Sequence, residues 1–320
     1  MSTLIVIVNY RTADLTVDCL RSLRDEVQGL PDTTVVVTDN KSGDDSPTQI
    51  HNAIEQNNWG GWATLMPLEC NGGFAYGNNR AIEPALQGEN PPEFVLLLNP
   101  DTVIRQGAVA SLIKFMHDNP KVGIAGSRLE DPDGTPQRSA FRFPSIRSEL
   151  DDGLRLGIIS RLLRNKCVAP PVRDDTYRTD WVAGASMIVR REVFDDAGLM
   201  DEGYFMYYEE VDFCLRANRA GWPCWYVPES RVVHLVGQAS GVTVQNVKPK
   251  RRPDYWFDSR RRYFVKNHGR FCALMTDAVF ALGYATYRLR RLVQRKPDTD
   301  PPKLLYDFIR HSVLLKGAKV

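Results

Sequence analysis

Short apolar runs punctuate the first half of the chain: Leu4 to Val8, Thr34 to Thr38, Ala63 to Leu68, Phe94 to Leu98 and Val122 to Ala125. Their length and β-branched content predict buried strands. Between them apolar positions recur at helical spacing over about Asp14 to Leu23, Pro47 to Gln56, Asn78 to Leu86 and Gly107 to His117. This alternation predicts an α/β fold, a mostly parallel central sheet flanked by helices. From Glu130 to Thr179 the periodicity dissolves into Pro, Gly, Arg and Asp, with one apolar helix over Leu154 to Leu163. A second patterned block runs from Trp181 to about Val236. It holds a strand (Ala185 to Val189), a helix starting at Glu192, an aromatic run (Tyr204 to Tyr208) and a helix over Glu209 to Arg219. The expected division is a sheet domain over 1–245, carrying an insertion over 130–180, and a helical C-terminal extension over 246–320.

Ligands of such sheets lie beyond the carboxyl ends of the strands. Val8 runs into Asn9-Tyr10, Val37 into Thr38-Asp39-Asn40, and Leu98 into Asn99-Pro100-Asp101. Singly, each is an ordinary turn or cap; three in succession point to a site. Asp101, with Asn99 beside it on a proline-stiffened turn, suits a hard cation such as Mg²⁺ or Mn²⁺. The alternative is a capped strand-to-helix turn. The string Cys70 to Asn79 reads as a strand, a glycine-rich turn and a helix starting near Asn78. There Asn71, Gly73, Phe74 and Asn78 would flank a backbone that a ligand approaches closely. Both Walker A and dinucleotide spacings are absent, and a tight structural turn is the alternative.

Tyr207-Tyr208-Glu209-Glu210-Val211-Asp212 carries the densest chemistry. On a helix Glu209 and Asp212 share a face, Asp212 can pair with Arg216 four residues on, and Glu210 points about 100° away. A carboxylate in such a place can accept a hydroxyl proton, although acids at a helix start are also simple dipole partners. His234 follows the strand-like Arg231-Val232-Val233 and precedes a small-residue loop, Leu235 to Gly241, able to move. It is either a third metal ligand or a hydrogen-bonded structural histidine.

Composition narrows this little: 43% hydrophobic and 25% charged residues suit a globular chain, and a net charge of +2 conceals a basic stretch from Lys248 to Arg270. That stretch should meet something anionic. The six cysteines form no CxxC pair and read as reduced core thiols. Met1 leads straight into the first strand without a basic leader, so a cytoplasmic protein is expected.

Taken in order, Val8-Asn9-Tyr10, Val37 to Ser42, Asn71-Gly72-Gly73-Phe74-Ala75 with Gly77-Asn78, Leu97 to Asp101, Gly184-Ala185, Phe205 to Asp212, and His234 resemble the family 2 glycosyltransferases, in particular bacterial rhamnosyltransferases. The resemblance covers about residues 3 to 240. It implies a GT-A fold, a nucleotide-sugar donor, a divalent metal and an inverting transfer. By the same resemblance Asp39 recognises the base, Asn9 and Tyr10 line the nucleoside pocket, and Asn99 with Asp101 binds the metal diphosphate. Its catalytic base is the second acid of a Glu-Asp pair, which falls on Glu210. Two departures stand out. Glu replaces Asp at 210, which keeps Glu209 and Asp212 as alternatives, and Asn replaces Asp at 99, which asks more of His234. The implied donor is dTDP-rhamnose, with UDP-hexose or galactofuranose transfer as the alternative. A further alternative is an inactive, membrane-associated assembly subunit.

Phe271 to Tyr287 is almost wholly apolar, is interrupted by Asp277, and is followed by Arg288, Arg290, Arg291, Arg295 and Lys296. That is short for a membrane span. It reads either as an interfacial helix on the cytosolic face of a membrane or as a helix packed on the domain or on a second copy in a homodimer. The basic stretch before it would hold anionic head groups or the diphosphate of a lipid-linked acceptor. No nucleic acid is expected, since no nucleic-acid fold accompanies the charges.

Overall fold

The computed structural model describes residues 2–30, 32–235 and 249–318. In chain order the first elements are β1 (Thr3–Asn9), α1 (Ala13–Gln28), β2 (Thr33–Asp39), α2 (Ser46–Gln56), β3 (Ala63–Pro67), α3 (Gly73–Gln87) and β4 (Phe94–Leu98). Then come β5 (Thr102–Ile104), α4 (Ala108–Asp118), β6 (Ile124–Glu130), β7 (Ala140–Phe141), α5 (Ile146–Leu154), α6 (Gly157–Leu162), β8 (Tyr177–Thr179) and β9 (Trp181–Val182). The last are β10 (Ser186–Arg190), α7 (Arg191–Ala197), α8 (Glu209–Arg219), β11 (Cys224–His234), α9 (Asp254–Val293), α10 (Leu304–Arg310) and α11 (Val313–Lys316).

The chain divides into two compact units. The first comprises Met1–Phe141, Pro171–Glu202 and Glu209–Gly241, the second Arg142–Pro170, Gly203–Tyr208 and Val242–Val320. The residues expected to form one insertion, 130–180, are shared between them. The expected boundary at 245 lies outside the described residues, as do Lys248 and the small-residue loop after Leu235.

The first unit is built on a sheet in the order β3-β2-β1-β4-β10-β6-β11-β5, with β8 also paired to β11. The pairs β1/β2, β1/β4, β2/β3 and β6/β11 are parallel. Every residue of β1 and β4 is buried, which is why both read as unbroken apolar runs: helices cover both faces. Strand β10 lies between β4 and β6 and is antiparallel to both. Pairing direction leaves no trace in a run such as Ala185 to Val189, because a strand buried on both faces is apolar throughout either way.

Three sequence expectations are corrected. Helix α3 starts at Gly73 rather than near Asn78, so the glycine-rich string forms its first turns. Of the apolar helix expected over Leu154 to Leu163 only α6 forms, over Gly157–Leu162; Leu154 is the last residue of α5, which Arg155 ends at a φ of +49°. The cysteines are all free, but only Cys19, Cys214 and Cys224 are buried. Cys70 is exposed, and Cys167 and Cys272 are half-buried.

The second unit is helical. Gly269, at φ +82°, breaks α9 into two segments. Residues seventeen apart on one straight helix would lie about 25 Å apart, yet Arg260 Nη1 donates to Asp277 Oδ1 at 2.6 Å. The second segment therefore turns back beside the first. Arg260 also donates from Nη2 to Glu149 Oε2 of α5 at 2.7 Å. Burial opposes the guanidinium charge, but the two carboxylates outweigh it and raise its pKa. Phe257, Phe280, Tyr284, Leu304 and Phe308 pack into a common core. For three cations of the basic stretch the anions it was expected to meet lie in the same unit: Asp307 for Arg251, Glu149 and Asp277 for Arg260, Asp258 for Arg261.

Candidate active site

The carboxyl ends of β2, β1 and β4 lie side by side in the first unit, and Asn9 pairs in register with Asp39. Asn9 is fully buried. Its Nδ2 donates to Asp39 Oδ1 (2.6 Å) and Ser42 Oγ (3.2 Å), and its Oδ1 accepts from the hydroxyls of Thr12 and Thr16, each at 3.0 Å. Asp39 is buried too, with Ser42 donating its backbone N–H to Oδ2 (3.0 Å) and its hydroxyl to Oδ1 (2.5 Å). Asn9 therefore orients Asp39 from within. Tyr10, by contrast, presents an exposed ring at the strand end with the Arg11 guanidinium beside it, 5.2 Å from the ring centre. The sequence reading took in Ser42 only as the end of the run Val37 to Ser42, without a role, and gave none to Thr12 or Thr16. The Asp39-to-Ser42 spacing, a common side-chain turn, was the available signal.

Helix α3 seats itself closely against these strand ends. Asn71 Oδ1 accepts from Gly73 N (3.1 Å), and Asn40 Nδ2 donates to the Gly73 carbonyl (2.9 Å). A Cβ on Gly77 would come within 2.6 Å of Val8 Cγ1 and 3.0 Å of Asn40 Oδ1. Gly77→Ala is therefore expected to destabilise the fold by about 1–3 kcal/mol, the range for overpacking. Gly61→Ala, with nothing within 4 Å of its added carbon, should leave the urea midpoint unchanged. Equal midpoints for the two variants would contradict the close seating. Asn78 is buried and donates to the Phe74 carbonyl at 2.9 Å. Phe74 and Glu210 meet over Gly184: a Cβ there would lie 3.2 Å from the Phe74 ring and 3.9 Å from Glu210 Cβ.

The acids at the start of α8 separate by environment. Asp212 is fully buried and accepts from Arg216 Nε at 2.9 Å, while Arg216 also donates to the carbonyls of Ala197 and Leu199. It anchors the helix. Glu209 is buried as well. Glu210 is half-buried, and its Oε2 has no hydrogen-bond partner among the described residues. Burial pushes its carboxyl up to about 7, against the opposing backbone amides of residues 210 and 211.

At the end of β4, Asn99 is half-buried, and its backbone ties β4 to β10 through Asn99 N to Ala185 O at 3.0 Å. Asp101 is buried, and its Oδ1 has no hydrogen bond among the described residues. That oxygen lies 3.5 Å from His234 Nε2, brought there because β11 pairs antiparallel with β5, placing His234 opposite Thr102. Gln137, inside the stretch whose pattern dissolves, steadies this end by donating to the His234 carbonyl (2.9 Å) and Asp131 (2.7 Å).

Glycines seated close to the strand ends, a buried carboxylate beside an imidazole and, at the start of α8, a carboxylate with a raised pKa thus belong to one compact unit. Residues 4–195 match the family model for glycosyl transferase family 2. The chain belongs to that family. Among its relatives, the N-acetylglucosaminyl-diphospho-decaprenol L-rhamnosyltransferase of Mycobacterium tuberculosis is 28% identical over 218 residues, 65% of this chain and 68% of its own. The rhamnosyltransferase WbbL of Escherichia coli is 31% identical over 170 residues, 51% of this chain and 60% of its own. In fold, this glycosyltransferase is similar to the mannosyltransferase PcManGT of Pyrobaculum calidifontis, solved with GDP-Man and Mn²⁺. There the TM-score is 0.51 at 16% identity over 99% of this chain and 72% of that one. The family 2 chain has the GT-A architecture: a mostly parallel sheet, helices on its faces and a helical C-terminal region.

Proposed function

We propose that this glycosyltransferase moves L-rhamnose from dTDP-rhamnose, with inversion, to a hydroxyl of a saccharide or lipid-linked acceptor in cell-surface polysaccharide synthesis. The observation that carries the chemical part is Glu210: it is the half-buried acid of the three, one of its oxygens has no hydrogen-bond partner among the described residues, and burial pushes its carboxyl up to about 7, a value that suits proton transfer at neutral pH. Glu210 takes the acceptor proton as that oxygen bonds to the anomeric carbon, and the nucleoside diphosphate leaves from the opposite face. Gly184, with Phe74 and Glu210 both close beside it, shapes the wall there. Tyr10 offers its exposed ring to the base, and Asp39, held by Asn9 and Ser42, hydrogen-bonds it.

Asp101 and His234 suit Mg²⁺ or Mn²⁺: one buried carboxylate oxygen without a hydrogen bond and one imidazole nitrogen, 3.5 Å apart. Asn99 precedes Asp101 by two residues on the same turn. Among the described residues no three His, Cys, Asp or Glu converge, so a cation held here would take its remaining ligands from the donor's phosphates and water. A bound cation would supply neutralisation of the charge that develops on the leaving diphosphate.

Support for the sugar comes from the relatives' names, and the test is direct. Thermal melting with dTDP-rhamnose, UDP-glucose, UDP-galactofuranose and GDP-mannose, each with and without Mn²⁺, should show a metal-dependent rise with dTDP-rhamnose alone. A rise only with a UDP sugar would reassign the donor to a hexose or galactofuranose. No rise with any donor would favour an inactive subunit.

A further inference from the structure

Among the described residues, every large apolar side chain that stands exposed belongs to the second unit, with the exception of Tyr10. On the second segment of α9, where Leu274, Thr286 and Val293 are exposed as well, a series of exposed positions runs through Phe271, Met275, Ala278, Leu282, Ala285, Leu289 and Leu292. They alternate at spacings of four and three residues, so they form one stripe along one face. Phe271, Leu282 and Leu292 are 79%, 71% and 66% exposed. The opposite face of the same segment, through Ala273, Asp277, Phe280 and Tyr284, is buried against the unit itself. The helix is thus apolar on both sides, and its own fold covers only one. Helix α6 adds Ile158 and Leu162, 72% and 74% exposed, and α11 adds Leu314 and Leu315.

Charge indicates what covers these faces. Exposed cations stand at both ends of the stripe, Arg270 before it and Arg295 and Lys296 after it; Arg161, Arg164 and Lys166 flank or follow the apolar residues of α6, and Lys316 follows those of α11. The exposed acids among the described residues of this unit are Asp152, Asp254 and Asp298, and Asp298 is held by Arg288 and Arg291. A second copy of the same stripe would bring cations toward cations in either orientation. An anionic lipid surface complements both features: acyl chains for the apolar stripe, phosphates for its basic ends.

We propose that the second unit docks on the surface of an anionic lipid bilayer through the outer face of α9, assisted by α6 and α11. It lies on the membrane and does not cross it: no helix among the described residues is long and apolar enough, and Gly269 interrupts α9. The proposal does not depend on which sugar is transferred.

Flotation of the full chain with phosphatidylcholine vesicles, with and without phosphatidylglycerol, tests it. Binding is expected to the anionic vesicles, weakened by high salt as the head-group attraction is screened. The double substitution Leu282→Glu and Leu289→Glu should lower the fraction bound at least tenfold, and Arg295→Glu with Lys296→Glu should reproduce the effect of salt. Both side chains of the first pair are largely exposed, so its thermal melting should match the parent, and a lowered melting point would transfer the test to the charge pair. Failure to float with anionic vesicles, or undiminished flotation of both variants, would overturn the proposal. So would light scattering showing a dimer that the glutamates split without any change in flotation, since the stripe would then belong to a second copy. Donor binding by the variants, expected to be unchanged, keeps this outcome separate from the transfer reaction.

Discussion

Glu210→Gln is expected to bind nucleotide sugar as the parent does and to lose turnover by about two to four orders of magnitude. The amide keeps the shape of the side chain beside Gly184 and Phe74 but cannot accept the acceptor's proton. The pH profile supplies a second reading of the same residue. Burial pushes the Glu210 carboxyl up to about 7, so in the parent kcat should rise about tenfold per pH unit up to that value and level off above it. The stability effect has the opposite sign. A carboxyl whose folded pKa is raised binds more protons in the native than in the unfolded state, so parental stability falls as pH climbs from the ordinary carboxylate range to about 7. Glu210→Gln removes that loss, and the variant should melt higher than the parent at pH 8. Near-parental turnover in Glu210→Gln would shift the base to Glu209 or Asp212. Asp212→Asn should show mainly a stability loss, because its carboxylate anchors Arg216 and, through Arg216, the carbonyls of Ala197 and Leu199.

Asp101→Ala is expected to weaken metal-dependent donor binding more than about a hundredfold, the equivalent of the several kcal/mol a hard cation contributes to a diphosphate. Isothermal calorimetry with nucleoside diphosphate and Mn²⁺ measures it. Without metal the variant should fold at least as stably as the parent, since the substitution removes a buried carboxylate whose Oδ1 makes no hydrogen bond among the described residues. His234→Ala should weaken binding less, its imidazole being one of several donors. Donor affinity unchanged in Asp101→Ala would mean that Asp101 serves only the turn after β4.

The sheet was legible in advance because its strands are buried on both faces, and the runs Leu4 to Val8 and Phe94 to Leu98 coincide with β1 and β4 to within a residue. The start of α8 at Glu209 was legible for a different reason, a block of acids ahead of an apolar helix. The glycine-rich string misled about where α3 begins. Glycines weaken a helix forecast, while here Gly77 sits inside the helix because Val8 and Asn40 lie too close for a side chain, and Gly73 opens the helix at φ +90°. Of the candidate residues, Asn9 and Asn78 are deeply buried and act on their neighbours, whereas Tyr10 and Glu210 keep groups available. Spacing cannot separate these two kinds, since accessibility is a property of what packs around a residue.

The amino-acid pattern alone determined the alternation of strand and helix, the polar residues at three successive strand ends, and the order of motifs that places the chain in its family. These follow from local periodicity and from chemistry written in single residues. Only the tertiary structure decided that β10 runs antiparallel between β4 and β6, that His234 comes to Asp101 across more than a hundred residues of chain, and that α9 doubles back at Gly269. It also decided which acid of the three is only half-buried. Each of these depends on which distant surfaces meet, a choice set by burial and hydrogen bonding over the whole fold rather than by any short stretch of chain.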